Sequence, residues 1–471
     1  MTLALALALS LAQDPVSMPL DELEDRIRGG MLAQFIGNLN GLPHEFKYIH
    51  EPGKVERYVP ALPDGAWTDD DTDLEWVYVT EMVRARELFL PHDRLSRLWK
   101  THINKRIWCA NLYARRLFDI GVGPDLSGHV AINPWSSFNI SGQFICESFG
   151  LMAPGMPKTA SRIGLHYTRV TIDGEPAQTT QLFCTMIAVA FVEKNLEKIL
   201  DAGLAAVDPS SEVAGVVRDV RRWCAEHPDD WRATRKLIRD KYQKHRGEMR
   251  DRNGYELNTA ATIAALVYGR GDFIETLKVA FNYGWDADNN AATSAVIIGI
   301  LKGKKWMDAQ GWDIKDVYKN TCRDGMPEDE TLTGFTDKVV QLALKAIRDG
   351  GGAVQMFLGR DVVRLPVEAP ANIEPLPSPP DRLPALRERL LPEIERDLGG
   401  DAAARAAYLA LALGEAPRLS RERAEDWAKA VSALKSFPDL VREIYNAPHP
   451  SGLALQSAAA AAGIERPGKK D

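Results

Sequence analysis

The sequence predicts an all-α fold, and three features of the chain lead to that prediction. Apolar residues recur at spacings of three and four over most of the 471 residues, clear alternating strands are scarce, and two acidic clusters each precede an amphipathic run. The periodic segments predict helices over residues 74–118, 179–206, 209–225, 230–246, 257–281, 289–303 and 334–348.

The first predicted helix, residues 25–45, carries small residues on one side. Gly29, Ala33, Gly37 and Gly41 stand at every fourth position and therefore fall on one helical face. A glycine inside a helix costs about 1 kcal/mol relative to alanine. Several together indicate that another helix or a ligand approaches that face closely.

The first acidic cluster is the run from Thr68 to Thr72, which contains three consecutive aspartates, Asp69, Asp70 and Asp71. One or two acids at the start of a helix are ordinary capping residues. Three exceed what capping needs, so we interpret the run as a possible source of metal ligands.

The second acidic cluster is the turn from Gly284 to Ala292, which sets Asp286, Asp288, Asn289 and Asn290 before a helix with a small-residue face. Carboxylate and amide oxygens are the ligands that hard divalent cations prefer. The small face lets that helix pack closely enough to bury the site. We therefore expect the two acid-rich helix starts to converge on one pair of ions.

Three motifs in this order resemble the ADP-ribosylglycohydrolase family. Residues 37–45 keep both glycines, the proline and the terminal glutamate of the family's opening helix. Residues 70–72 are similar to its Thr-Asp-Asp-Thr element with Asp69 in the first threonine position; with one aspartate inserted, the match is instead residues 68–70. Residues 284–292 are similar to its Gly-x-Asp-x-Asp-Thr-Asn-Ala-Ala element, with Asn289 in the threonine position. The resemblance covers roughly residues 20–350.

This resemblance implies a compact orthogonal helical bundle with a binuclear metal site for two Mg²⁺ or two Mn²⁺. Its implied catalytic residues are Glu45, Asp70 and Asp288, and its implied substrate-binding residues are Asn38, Gly142, Trp285 and Asn290. The predicted metal ligands are Thr68, Asp69, Asp70, Asp71, Asp286, Asp288 and Asn289.

The resemblance also implies a divalent-metal-dependent hydrolase that cleaves a ribosyl glycosidic bond with a metal-activated water. The expected partner is an ADP-ribosylated protein or a small ADP-ribosyl or ribosyl substrate. One departure leaves the substrate open, because the family's mid-chain Asn-Gly-x-x-Met-Arg stretch is replaced here by residues 139–155. Hydrolysis of another ribosyl or nucleoside-like substrate and non-catalytic binding of ADP-ribose therefore stay as alternatives.

Composition agrees with a globular enzyme, since the chain is 45% hydrophobic and 26% charged. A net charge of -7 without a long basic run argues against nucleic acid as the main partner. Five widely spaced cysteines, without a Cys-x-x-Cys pair, indicate neither a zinc site nor a disulfide framework.

The chain is predicted to have four parts and no transmembrane segment. Residues 1–13 resemble a short signal peptide, which would make the protein periplasmic or secreted; without it the protein would be cytoplasmic. Residues 20–350 form the predicted catalytic domain, residues 363–384 a proline-rich linker and residues 385–471 an accessory helical segment.

Overall fold

The computed structural model describes residues 16–67, 70–320, 323–327, 329–376 and 379–468. The predicted signal segment 1–13 and the predicted metal ligands Thr68 and Asp69 lie outside these residues. Within the described ranges, none of the helices combines the length and the apolar character that a membrane crossing requires.

Helices dominate the part of the chain up to residue 349, which confirms the prediction of an all-α fold. In chain order they are α1 (Leu20–Gly41), α2 (Asp70–Ala85), α3 (His92–His102), α4 (Cys109–Asp119), α5 (Ser141–Phe144), α6 (Glu147–Leu151), α7 (Pro157–Thr168), α8 (Glu175–Val189), α9 (Leu196–Ala205), α10 (Glu212–Glu226), α11 (Trp231–Tyr242), α12 (Arg250–Asn253), α13 (Tyr255–Gly269), α14 (Phe273–Tyr283), α15 (Ala287–Lys302), α16 (Lys304–Asp308) and α17 (Leu332–Asp349).

Some predicted helical segments are divided by local backbone geometry. The segment predicted over residues 257–281 is two helices, because Arg270 and Gly271 both adopt positive φ angles, 49° and 80°, and end α13. The segment predicted over residues 74–118 is three helices, and the second begins directly after Pro91. Proline lacks the N–H that a helix interior needs, so a helix is more easily started than continued there.

Helices α1 and α15 lie against each other along the predicted small-residue face. A Cβ added to Gly29 would lie 2.5 Å from the carbonyl oxygen of Gly299, and one added to Gly37 would lie 2.6 Å from that of Ala291. No side chain fits between the two backbones at these points. The partner that the glycine spacing predicted is therefore another helix.

Two small sheets, which the sequence did not predict, join distant parts of the chain. Their strands are β1 (Val16–Pro19), β2 (Ala66–Trp67), β3 (Tyr318–Lys319), β4 (Ala353–Phe357) and β5 (Arg360–Leu365). The first sheet is antiparallel in the order β1-β5-β4 and ties the start of α1 to the chain beyond α17. In the second, β2 pairs in parallel with β3, which brings the chain entering α2 beside Tyr318.

The C-terminal part is helical, with bounds that differ from the predicted linker. Strand β5 continues to Leu365 and the next helix begins at Pro379, so helix and strand occupy both ends of the predicted 363–384 linker. The helices are α18 (Pro379–Asp397), α19 (Ala403–Ala412), α20 (Ala416–Glu422), α21 (Ala424–Lys435), α22 (Pro438–Asn446) and α23 (Leu453–Ala461).

These C-terminal helices share a hydrophobic core with the first part of the chain. Leu117 and Ile132 are buried in the same apolar cluster as Leu409. The hydroxyls of Tyr113 and Tyr408 are 2.8 Å apart, and that of Tyr408 also donates to the carbonyl of Ile132 at 2.5 Å. The C-terminal helices α18 to α23, called the appendage from here on, are thus packed on α4 and the loop that follows it.

The close approach of α1 and α15 predicts a contrast between two helical glycines. Gly29→Ala should lower the free energy of unfolding by about 1–3 kcal/mol, because the added methyl overpacks a backbone contact. Gly215→Ala in α10 should raise it by up to about 1 kcal/mol, since nothing lies within 4 Å of that position. Urea denaturation of both variants measures this, and equal effects would contradict the packing described here.

The shared C-terminal core predicts that residues 379–471 are needed for stability even though they hold none of the predicted site residues. A chain ending at Leu376 should expose Tyr113, Leu117 and Ile132, and each apolar side chain uncovered costs about 1.5–3 kcal/mol. The urea midpoint should therefore fall sharply, or the protein should aggregate. A chain ending at Arg466 is the control, and a stable, soluble chain ending at Leu376 would show that the appendage folds separately.

Candidate active site

The second acidic cluster lies on a strained turn between α14 and α15. Gly284 and Trp285 have positive φ angles of 71° and 52°, which reverse the chain and place Asp286 immediately before α15. Asp288 lies in the first turn of that helix. The partial positive charge of the helix N-terminus stabilises carboxylates at these positions.

Glu45 reaches the same turn from the end of α1. A 3-10 turn, Leu42–His44, follows that helix, and the His44 ring stacks on Phe281 of α14 with centroids 5.0 Å apart. The Phe46 N–H donates to the carbonyl of Trp285 at 2.7 Å, which pins the two loops together. Carboxylate oxygens of Glu45, Asp286 and Asp288 consequently all lie within 4.8 Å of one another.

The first acidic cluster meets this group through Asn38 of α1. The Asn38 side-chain amide donates to Asp71 at 2.8 Å and to Asp288 at 3.4 Å, so it bridges α2 and α15. Asp70 lies on the same side, because its charge and that of Asp286 both act on the Cys109 thiol. Desolvation first, and then these two charges, raise the pKa of Cys109.

Asn289 fits a cation-binding interior better than ordinary packing. It is fully buried, and neither its amide nitrogen nor its amide oxygen has a hydrogen-bond partner in the described part of the chain. Leaving a buried polar group unsatisfied costs about 1–3 kcal/mol. Asn289 follows Asp288 directly in the chain, and an amide oxygen belongs, like the carboxylates of the buried Asp71, Asp286 and Asp288, to the donor set that Mg²⁺ or Mn²⁺ prefers.

All four residues predicted to bind substrate lie in the protein interior, and Asn38 is occupied with Asp71 and Asp288 as described above. Trp285 is fully buried, with the Arg235 guanidinium 4.6 Å from its ring and its N–H donating to Gln243 at 3.1 Å. Asn290 is equally buried and donates to Asn258 at 2.9 Å. A Cβ on Gly142 would collide with the carbonyl oxygen of Pro176. In this arrangement they support the acidic turn and its surroundings from within, because packing occupies their contact surfaces.

Sequence reasoning missed three residues that hold the acidic turn in place. Asn253 donates to the Asp286 carboxylate at 2.6 Å, and the Asn258 side-chain oxygen accepts from the Asp286 N–H at 3.1 Å. Arg235 donates to the carbonyls of Tyr283 and Tyr48 at 2.9 and 2.6 Å, and burial lowers its pKa to about 10. Arg235 lies in α11, Asn253 in α12 and Asn258 in α13. The residues next to them in the sequence form no motif that predicts this role.

A separate cavity of about 890 Å³ contains none of these acids. It is lined in part by His92, Arg162, His166, Arg169 and Asp173. Its Arg169 is already paired with Asp173 at 2.7 Å. In the portion of the chain that the structure describes, one group of three His, Cys, Asp or Glu side chains is arranged so that its members could share an ion. That group is Glu45, Asp286 and Asp288.

Comparison with known proteins finds one family whose model matches most of the chain. The family model for ADP-ribosylglycohydrolase matches residues 19–347, which is more than half of the chain. No curated protein matches. A solved structure described as an ADP-ribosylglycohydrolase-related protein complex is similar at a TM-score of 0.44 and 15% identity, over 69% of this chain and 99% of that chain.

The matched region contains α1, the acidic start of α2 and the turn before α15, which are the elements that build the site. The matching family consists of hydrolases that act on ADP-ribosyl substrates. By the extent of this match, the chain belongs to the ADP-ribosylglycohydrolase family.

Proposed function

We propose that this protein is a divalent-cation-dependent hydrolase that cleaves the glycosidic bond between an ADP-ribosyl group and a protein or small-molecule acceptor. The observation that carries the proposal is the convergence of Glu45, Asp286 and Asp288 within 4.8 Å. Asn38 joins Asp71 to the same group. Four acids from three chain segments are thus brought together, and a bound cation would offset their mutual repulsion.

The residues proposed to hold two ions are the acids at the starts of α2 and α15 and the buried amide next to them. Bound Mg²⁺ or Mn²⁺ would supply a polarised water and a grip on the ribose hydroxyls. The proposed ligands within the described residues are Asp70, Asp71, Asp286, Asp288 and Asn289. Thr68 and Asp69 are further proposed ligands that lie outside the described residues.

Glu45 is the proposed acid–base group of the reaction. It is half-buried at the end of α1, whereas Asp286 and Asp288 are buried, so it is the carboxylate best placed to exchange protons with solvent or substrate. In the proposed hydrolysis, water oxygen bonds to the anomeric carbon as the bond to the acceptor breaks. Glu45 takes a proton from that water or returns one to the acceptor.

Asn38 and Asn253 keep the acids in place while this happens. Asn38 holds Asp71 and Asp288 together from one side, and Asn253 holds Asp286 from another. Side-chain amides carry no charge, so they fix these carboxylates without neutralising them. These hydrogen bonds help to fix the positions of the acids that are proposed to hold the cation.

A second candidate, hydrolysis of another ribosyl or nucleoside-like substrate, is favoured by one observation. The mid-chain segment that departs from the family pattern is mostly buried, and its Gln143 donates to Thr262 at 3.0 Å within the interior. Ordinary family contacts to ADP-ribose from this segment are therefore replaced by packing. The substrate assay described below separates the two candidates.

Cation binding gives the first prediction from this site. Saturating Mg²⁺ or Mn²⁺ should raise the melting temperature, because a ligand at one hundred times its dissociation constant stabilises the native state by about 2.7 kcal/mol. Asp288→Asn should remove most of that rise without lowering the cation-free melting temperature, since it deletes a repelling charge. Asp229→Asn, on an exposed side chain, is the control. An unchanged rise in Asp288→Asn would show that the turn is structural.

Loss of the acid–base group gives the second prediction. Glu45→Gln should lower kcat by about 10²–10⁴-fold while ADP-ribose and cation binding are kept. Glu51→Gln, on an exposed side chain six residues further along, should behave like the wild type. The assay measures release from ADP-ribosyl-arginine, ADP-ribosyl-serine and ADP-ribosylated DNA bases, with simple nucleosides alongside. Cleavage of nucleosides alone would select the second candidate, and ADP-ribose binding without turnover would identify a binder.

A further inference from the structure

A second polar layer lies one helical turn below the acidic site. Gln34 precedes Asn38 by four residues on α1, and Glu75 follows Asp71 by four on α2. Thr293 follows Asn289 by four on α15. Residues four apart lie on the same helical face. The layer is completed by Glu147, at the start of α6, which receives a hydrogen bond from the Thr293 hydroxyl.

Glu75 is surrounded by neutral hydrogen-bond donors. It is fully buried, and it accepts from the Gln34 side chain at 2.7 Å. The backbone N–H and the hydroxyl of Ser148 donate to it at 2.8 and 2.6 Å. In the part of the chain that the structure describes, neither Glu75 nor Glu147 forms an ion pair with a lysine, an arginine or a histidine.

Glu147 is in the same position. It is buried, and besides Thr293 it accepts from the Cys146 N–H at 3.2 Å. The elements packed around the two carboxyls contribute neutral groups: Gln34 from α1, Ser148 from α6 and Thr293 from α15. The titratable neighbours are the thiols of Cys146 and of Cys184, which comes from α8; burial raises the pKa of Cys146 well above its ordinary value.

Ionising both of these buried carboxyl groups costs free energy, because no cation lies beside them in the described part of the chain. Burial raises the pKa of Glu75 and of Glu147, and the charge of Glu75 raises that of Glu147 further. The hydrogen bonds from Ser148, Gln34 and Thr293 act in the opposite direction but do not cancel the burial. Both carboxyls therefore favour their protonated forms well above the ordinary range.

We propose that Glu75 and Glu147 are carboxyl groups that hold their protons into the neutral pH range and, in that protonated form, act as positioning residues for the acidic site above them. Protonated, they join α1, α2, α6 and α15 through hydrogen bonds. Ionised, they would repel each other in the layer that sets the spacing of Asn38, Asp71 and Asp288. This proposal goes beyond the proposed function, because it requires no particular substrate.

A hydrogen-bonded route connects the lower layer to the acidic turn. Thr293 and Asn290 both accept from the Gln143 side chain, at 3.3 and 3.4 Å. Asn290 donates to Asn258, which in turn accepts from the Asp286 N–H. A change at Glu147 is therefore passed to Asp286 through four side chains. Through α1, a change at Glu75 reaches Asn38 by way of Gln34, one turn earlier on the same helix.

The raised pKa values fix the sign of the pH dependence. In the unfolded chain both carboxyls titrate near the ordinary value of 4.5. The folded state holds its protons to higher pH, so the stability that they contribute is fully present below that value. It is lost as the pH rises through the folded-state pKa values. The equilibrium constant for unfolding should increase up to about tenfold per pH unit for each carboxyl over that range.

Glutamine variants of the full chain test the proposal, because a glutamine resembles a protonated glutamate. The free energy of unfolding is measured by urea denaturation from pH 5 to pH 9 for wild type, Glu75→Gln and Glu147→Gln. Each variant should match the wild type to within a few-fold in the unfolding constant at the acid end. In each variant, the free energy of unfolding should also fall less between pH 5 and pH 9 than in the wild type, because one of the two titrating carboxyls is missing. This fall with rising pH is called the alkaline decline. The affinity for Mn²⁺, titrated over the same pH range, should fall off less in the variants at high pH than in the wild type.

Glu256→Gln is the matched control, since Glu256 is also buried but is paired with Arg250, and its pKa is lowered. This variant should be destabilised at neutral pH and should keep the alkaline decline of the wild type. Infrared spectra of the wild type need no variant. They should show the C=O stretching band of protonated carboxyl groups at pH 7.

Two outcomes would overturn the proposal. One is the absence of a protonated-carboxyl band from the wild type at pH 7. The other is an alkaline decline that is the same in Glu75→Gln, Glu147→Gln and the wild type. Neither measurement uses turnover, so failure of the proposed hydrolase activity would leave this result unaffected, and the reverse also holds.

Discussion

The backbone contact between α1 and α15 is the constraint on which the rest of the site depends. A Cβ at Gly41 would collide with the Cα of Asp288, and one at Gly37 would lie 2.6 Å from the carbonyl oxygen of Ala291. Because α1 has no side chain at these two points, its backbone lies against that of α15, and Asn38 reaches Asp288 and Asp71 together. A larger residue would separate the helices and the carboxylates with them. Glycine here sets the distance between acids.

Packing helices this closely also brings the acids of three chain segments together at one site. The protein is proposed to neutralise acidic side chains in two ways, one above the other. In the upper layer, Asp286 and Asp288 lie beside Glu45, which is half-buried, and Asn38 joins Asp71 to Asp288, so a cation from solvent would neutralise this group. In the lower layer, Glu75 and Glu147 are sealed from solvent, and protons take the place of the cation. In this proposal, carboxyl groups one helical turn apart are in two different chemical states.

The sequence predicted what local periodicity and spacing determine. The all-α fold follows from three- and four-residue spacing, and the glycines of α1 indicated the close approach of another helix or a ligand, which in the structure is α15. The sequence did not predict the residues that hold the acidic turn from distant helices. Arg235 and Asn253 hold the acidic turn from α11 and α12, and Trp285 is buried under Arg235 rather than standing at a surface. Nothing in the residues next to Arg235 or Asn253 shows which distant loop they will meet. The sheet formed by β2 and β3 was not predicted because each of its strands is only two residues long.

The C-terminal helices are linked to the site through α4. The N-terminal residue of α4, Cys109, is close enough to Asp70 and Asp286 for their charges to act on its thiol, and the charge of Glu443 from α22 acts on it as well. Further along, α4 is buried against the C-terminal core at Tyr113 and Leu117. One helix therefore has its start beside the acids and its body in the appendage. Removing the appendage would uncover the apolar side of α4, so the position of that helix beside Asp70 depends on a part of the chain that supplies no predicted ligand.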